Sequence, residues 1–234
     1  MQVMLLAAGR GTRLGDLGLQ TPKVLVEIGG KPLLAHQIDY LAREGAELVV
    51  VNAHHLSTQI VEFVEGRQNP CQVEVEVVVE RELYGTAGGL RHALSHFERH
   101  MPIAVLNGDT LIDTPLHRIV DEHIQSGAAG TICATWLSDT TGKGVITVDF
   151  AGNVTGFEEK PQLPRPGLAS AGLYVLDREL AALIPPGVFC DLAHDLFPLA
   201  LDLELGLRVE QLVGRFSDIG TPESLEAARA EATP

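Results

Sequence analysis

Cysteine is scarce in this chain of 234 residues: Cys71, Cys133 and Cys190 lie far apart and share no paired spacing. That pattern argues against a disulfide framework and against a thiolate zinc site, and leaves three thiols expected to be buried. No apolar run approaches the length of a membrane span, and the N-terminus opens on strand-like sequence rather than on a basic region with a cleavage site. A cytoplasmic location is therefore expected. Linkers rich in Pro, Gly and Ser, internal repeats and low-complexity tracts are missing as well, so residues 1–234 read as one domain. Basic residues are the minority sign. With 17 of them against 31 acidic residues the net charge is −14, which disfavours nucleic acid and membrane surfaces as partners because both are polyanionic. A small anion remains admissible, since it responds to the local field of a few Lys, Arg and backbone N–H groups.

What the chain does have is alternation. QVMLLAA (2–8) and ELVVVNA (47–53) are β-rich runs, and between them Leu34, Ile38 and Leu41 recur at helical spacing. VEVEVVVE (73–80) is a further strand; Leu90, Ala93, Leu94 and Phe97 then make a helical stripe before the strand PIAVLNG (102–108). Strand–helix–strand order of this kind predicts an α/β fold with a mainly parallel, mixed sheet covered by helices on both faces. After about residue 130 consecutive strands follow: GTICATW, GVITVDF, NVTGFEE and ASAGLYVL. AGN (151–153) reads as a hairpin turn between two of them, and the proline cluster KPQLPRPG (160–167) as a surface loop. Trp136 and Phe97 are expected in the core.

The stretch LLAAGRGTRLG (5–15) runs from the first strand straight into glycines, arginines and a threonine. Its place is the carboxyl end of a strand, where an open α/β sheet usually receives its ligand. It is not a dinucleotide fingerprint, because G-x-G-x-x-G would need glycine where Leu14 stands, and no Gly-Lys-Ser/Thr follows to make a P-loop. Taken alone, it is equally a glycine turn carrying solvated arginines. Lys23, behind Pro22, adds a cation that a stiffened approach could hold against a phosphate. Asp109 and Asp218 each end a strand-like run, and each alone reads as well as a turn or helix cap.

Together these pieces resemble the sugar nucleotidyltransferases, enzymes that join a nucleoside triphosphate to a sugar 1-phosphate. The resemblance rests on LAAGRGTRLGDLGLQTPKVLVEIGGKPLL at the N-terminus, LYGTAGGLRHAL (83–94), VLNGDTLID (105–113), GFEEKP (156–161), ASAGLYVL and FSDIGTPESLEAA (216–228), in family order along nearly the whole chain. It implies a three-layer α/β/α Rossmann-like fold, with residues 1–130 binding the nucleotide and 131–234 the sugar phosphate. It further implies that Leu6, Ala7, Ala8, Gly9, Gly11, Thr12 and Arg13 border the triphosphate, with Lys23 near the α-phosphate or the leaving pyrophosphate. Gly85, Thr86, Ala87 and Gly88 would lie along the base, with Asn107 and Gly108 beside them. Gly144, Glu159, Ala171 and Gly172 would surround the sugar, Lys160 would meet its phosphate, and Asp109 and Asp218 would hold Mg²⁺. Arg13, Lys23 and Lys160 are thus the expected catalytic cations, and Mg²⁺ the expected cofactor. Asp113, His54 and His55 match no family role and read as structural.

Within the family, IPPGVFCDLAHDLFPLAL (184–201) looks most like the short heptose 1-phosphate guanylyltransferases and related mannose-type enzymes. GTP with a manno-configured acceptor is the expectation; uridylyl or thymidylyl transfer to a hexose or amino-sugar phosphate is the alternative. A non-catalytic nucleotide-sugar sensor has no need of both aspartates, and a nicotinamide enzyme is disfavoured by the failed fingerprint. The chain stops soon after its final helix, so no hexapeptide-repeat β-helix is expected. Ser170 stands where such enzymes often carry asparagine, and Val24 where many carry proline. Self-association into a homo-oligomer is left open.

Overall fold

The computed structural model describes residues 1–67, 73–161, 163 and 165–232. Its first half is built of β1 (Gln2–Leu6), the short α1 (Asp16–Gln20), the two-residue strands β2 (Glu27–Ile28) and β3 (Lys31–Pro32), α2 (Leu33–Arg43), β4 (Leu48–Ala53), α3 (Ser57–Gly66), β5 (Glu74–Val79), α4 (Gly85–Ala93) and β6 (Ile103–Asn107). The second half contains β7 (Thr110–Asp113), α5 (Leu116–Ser126), β8 (Gly130–Leu137), β9 (Gly144–Val148), β10 (Val154–Glu159), β11 (Gly167–Leu176), α6 (Arg178–Ala182), α7 (Phe197–Asp202), β12 (Leu207–Gln211), β13 (Arg215–Asp218) and α8 (Pro222–Ala232).

Nine strands share one sheet. β6, β1, β4 and β5 lie side by side and pair parallel, as the crossover helices between them require. The ten-residue β11 joins this parallel half to the later hairpins: β8 runs along one edge, while the other edge carries β6 and, further toward its start, β9. Every pairing of β11 is antiparallel, and so is that of β9 with β10 across the expected turn. β12 closes the β8 side in parallel.

Side-chain alternation explains the layers. Met4, Val50, Ile103 and Val105 point to one face, where α4, α6 and α7 contribute Leu90, Leu180 and Phe197. Their neighbours Val3, Leu5, Val49 and Leu106 point to the other, under Ile38 and Leu41 of α2, Ile60 of α3 and Leu116 of α5. The inner strands β6, β1 and β4 are buried on both sides, hence their nearly unbroken apolar runs, whereas β5 at the edge of the sheet alternates Glu with Val over its first four residues. A small third cluster joins Leu14, Val26, Ile28 and Leu33 to Ile219, Leu225 and Ala228, fastening the C-terminal helix under the loop that follows β1.

Cys133 and Cys190 are buried as expected, whereas Cys71 lies outside the described residues. The proline loop is described only in part, without residues 162 and 164. Phe97 is in the core, but Trp136 is not: it is 61% exposed. The reason is position along β8, whose burial is complete at Cys133 and Ala134 and fails over its last three residues. None of the described helices is long and apolar enough to cross a membrane.

Candidate active site

The loop after β1 turns sharply because Gly11 takes a left-handed φ of 64°, which lets the Leu14 N–H donate to Gly11 O at 2.9 Å. Leu14, standing where a dinucleotide loop would need glycine, is the apolar anchor that pins the turn into the small third cluster. The segment from Leu6 to Arg13 is thereby laid along a cavity of about 410 Å³, walled also by Lys23, Asn52, Gly85, Thr86, Asn107 and Gly108.

A buried hydrogen-bond chain sets the shape of this wall. The Ala7 N–H donates to Asn52 Oδ1 at 2.7 Å, Asn52 Nδ2 donates to Glu80 Oε1 at 2.6 Å, and the Tyr84 N–H donates to Glu80 Oε2 at 3.2 Å. Asn52 and Glu80 are each 2% exposed, so β4 carries a polar tie from the first loop to the segment that starts α4. Neither residue was marked by sequence reading; an asparagine inside the apolar run VVVNA was the available signal.

Asp109 follows β6. Gly108 lets the chain there close onto β1, since a Cβ would stand 2.5 Å from Leu6 O, and Gln37 of α2 donates to the carbonyls of Asn107 and Thr110 on either side. Asp218 arrives from 109 residues further along the chain through the β7–β13 ladder, in which it is the register partner of Thr110; the Ile219 N–H then donates to Asp109 O at 2.7 Å. Lys23 Nζ donates to Asp109 Oδ2 at 2.5 Å, with Arg13 4.0 Å from the same oxygen. Lys143 Nζ bonds Asp218 Oδ2, while Asp218 Oδ1 is buried without a partner among the described residues. No group of three or more His, Cys, Asp or Glu suited to a metal occurs among the described residues. Two carboxylates with one orphaned oxygen fit a Mg²⁺-type ion, which draws its remaining ligands from phosphates and water.

A second cavity, of about 460 Å³, opens on the other side of Asp109. Arg13, Thr86, Asn107, Asp109 and Asp191 border both cavities. Gly144, Glu159, Lys160, Ala171 and Gly172 are brought together along the second one, with Lys143 and Asp218. A Cβ at Gly144 would meet the Phe157 ring at 2.5 Å and Glu159 Oε2 at 2.7 Å. Lys160 takes a left-handed φ of 50°, is 64% exposed and lies 3.1 Å from Glu159 Oε1. Ser170 Oγ meets Tyr174 OH at 3.0 Å; burial pushes that phenol well above its usual range and keeps it a neutral hydrogen-bonding group.

Two expected nucleotide residues behave differently. The N–H groups of Ala87 and Gly88 donate to Cys190 O at 3.0 and 2.9 Å, and neither residue lines either cavity. Their place is inside a seam between the start of α4 and residues 188–191, where a Cβ at Gly88 would run into Val188 O at 2.6 Å. Gly85 and Thr86 remain on the wall, and Thr86 Oγ1 donates to Asp191 Oδ2 at 2.8 Å. His54 and His55 bond the carbonyls of Glu80 and Gly18 and are structural as read. Lys143, Asp191, Gln37 and the Asn52–Glu80 tie were missed. Besides the asparagine in VVVNA, Lys143 had a local sign, a lysine between two glycines ahead of a strand.

Residues 2–233 match the nucleotidyl transferase family. A mannose-1-phosphate guanyltransferase of Kluyveromyces lactis is 34% identical, the match covering 95% of this chain and 62% of that protein. This chain therefore spans somewhat less than two thirds of the length of that relative. Among solved structures, HddC from Yersinia pseudotuberculosis superposes with a TM-score of 0.84 at 25% identity, covering 98% of each chain. The same protein complexed with GMP-PN gives 0.84 at 26% identity, again over 98% of each chain.

Proposed function

The chain belongs to the nucleotidyl transferase family, and on that premise we propose that it transfers a guanylyl group from GTP to a manno-configured sugar 1-phosphate, such as a heptose or mannose phosphate, releasing pyrophosphate. The observation that carries the reading is the pair of cavities meeting on Arg13 and Asp109, one beside the first loop and one beside Lys160. A reaction that joins two anions needs two adjoining compartments with shared charge at the junction. The guanyl donor and the mannose-type acceptor are supported by the name of the Kluyveromyces lactis relative and by the nucleotide in the Yersinia complex.

In this reading an oxygen of the acceptor phosphate attacks the α-phosphorus, forming the new P–O bond, while the bond to the bridging oxygen breaks and its electron pair leaves with pyrophosphate. Residues 1–130 serve the donor. The loop from Gly9 to Thr12 approaches the triphosphate with backbone, Arg13 stands over the junction, and Lys23 faces the charge that builds on the departing oxygen. Residues 131–234 serve the acceptor, with Lys160 on its phosphate, Glu159 accepting from sugar hydroxyls, and Gly144 leaving room for the ring. Asp109 and Asp218 would hold Mg²⁺, which when bound neutralises phosphate oxygens and polarises the reacting centre. Pyrophosphate release, measured for four nucleoside triphosphates against a panel of sugar 1-phosphates with Mg²⁺, tests the proposal. Fastest release with GTP and a manno-configured acceptor is expected. Faster release with UTP or dTTP across the panel overturns the guanylyl assignment, and none with any pair overturns the transferase reading.

A further inference from the structure

Lys143 is tied down by its backbone and ion-paired at its tip. Its N–H donates to Thr140 O at 3.0 Å, its carbonyl accepts the Lys160 N–H at 3.1 Å, and Gly142, in a left-handed φ of 72°, and Gly144 flank it. The stem reaches across the acceptor cavity to put Nζ on Asp218 Oδ2, with the two side chains 28% and 27% exposed. The other oxygen of that carboxylate is the buried, unpartnered Oδ1. A divalent cation arriving at Asp218 therefore meets a carboxylate already half claimed by a positive charge, and two cations on one carboxylate repel.

We propose that Lys143 is the resident counter-cation of Asp218. It neutralises the carboxylate while no divalent cation is bound, is displaced from Oδ2 when one binds, and then carries its charge to the acceptor phosphate beside Lys160. The inference rests on Asp109 and Asp218 as the metal carboxylates. Its consequence is linkage: an acceptor phosphate that gives the displaced ammonium a new partner tightens binding of the cation, and the cation tightens the acceptor by the same factor.

Mn²⁺ is the probe, with free Mn²⁺ read by electron paramagnetic resonance during titration of nucleotide-free protein. Lys143→Met, which keeps the stem, should bind Mn²⁺ roughly three- to tenfold more tightly than wild type, as expected for removal of a partly exposed competing ion pair. Mannose 1-phosphate should tighten Mn²⁺ in wild type and not in this variant. Lys160→Met removes a nearby ammonium that is not on Asp218 and should move Mn²⁺ affinity by less than about twofold. Equal shifts in the two variants, or no tightening in Lys143→Met, overturn the proposal. Asp218→Asn separates the two layers of the argument: unchanged Mn²⁺ binding there refutes the metal assignment itself, whereas lost binding there without tightening in Lys143→Met refutes only the role of Lys143.

Discussion

Truncating Asn52 to alanine tests how the two walls of the donor cavity are held. The side chain satisfies the Ala7 N–H at 2.7 Å and donates to Glu80 Oε1 at 2.6 Å, and both Asn52 and Glu80 are 2% exposed. Asn52→Ala leaves one backbone donor and one carboxyl oxygen buried without partners, each at about 1–3 kcal/mol. Partial rescue by a water admitted into the space left behind brings the sum to roughly 3 kcal/mol, a large share of a domain's net stability. Glu80→Gln retains an acceptor for Asn52 but presents an amide N–H to the Tyr84 N–H, so it should lose about half as much, near 1.5 kcal/mol. Equilibrium urea denaturation followed by circular dichroism measures both. Because Ala7 opens the first loop and Tyr84 precedes α4, steady-state kinetics of Asn52→Ala should show a raised KM for the triphosphate with the acceptor KM little changed. A stability within about 1 kcal/mol of wild type, or an unchanged triphosphate KM in a destabilised protein, would refute the reasoning.

Asp109→Asn and Asp218→Asn should each abolish metal-dependent pyrophosphate release while lowering folding stability by less than about 2 kcal/mol, since asparagine still offers an acceptor to Lys23 or Lys143. Turnover close to wild type in both would sink the metal assignment. Lys160→Ala should raise the acceptor KM or cut kcat roughly tenfold, and Arg13→Ala should act chiefly on the triphosphate; the reverse pattern places the two substrates wrongly. Glu210 has its carboxyl raised above the ordinary range by burial first and then by the charge of Glu122. A raised folded-state value means stability present at low pH and lost as pH rises through that value, so Glu210→Gln should melt higher than wild type at about pH 7 and alike at about pH 3. A lower melting point for the variant at neutral pH contradicts that sign.

The layers of this protein were written in local patterns. Strands buried on both faces are apolar along most of their length, as in LVVV of β4 and IAVL of β6, and a helix over such a sheet must repeat its apolar residues with its own period, as Leu34, Ile38 and Leu41 do. Local conformational need likewise exposed the first loop, since a left-handed turn at Gly11 and a close approach at Gly108 both demand glycine. Chemical type alone could not say which charges meet. Asp218 reaches Asp109 only because β13 pairs with β7, and Lys143 reaches Asp218 only because the strands from β9 to β11 carry its loop to the same junction. Even the N–H groups of Ala87 and Gly88, which a motif offers to a ligand, are taken by Cys190 O from a segment about a hundred residues away. Propensity and period act over a few neighbouring residues, so they determine elements and faces. Which polar groups end up partnered, and which oxygen is left for a metal, depends on long-range packing that the sequence encodes only through the assembled fold.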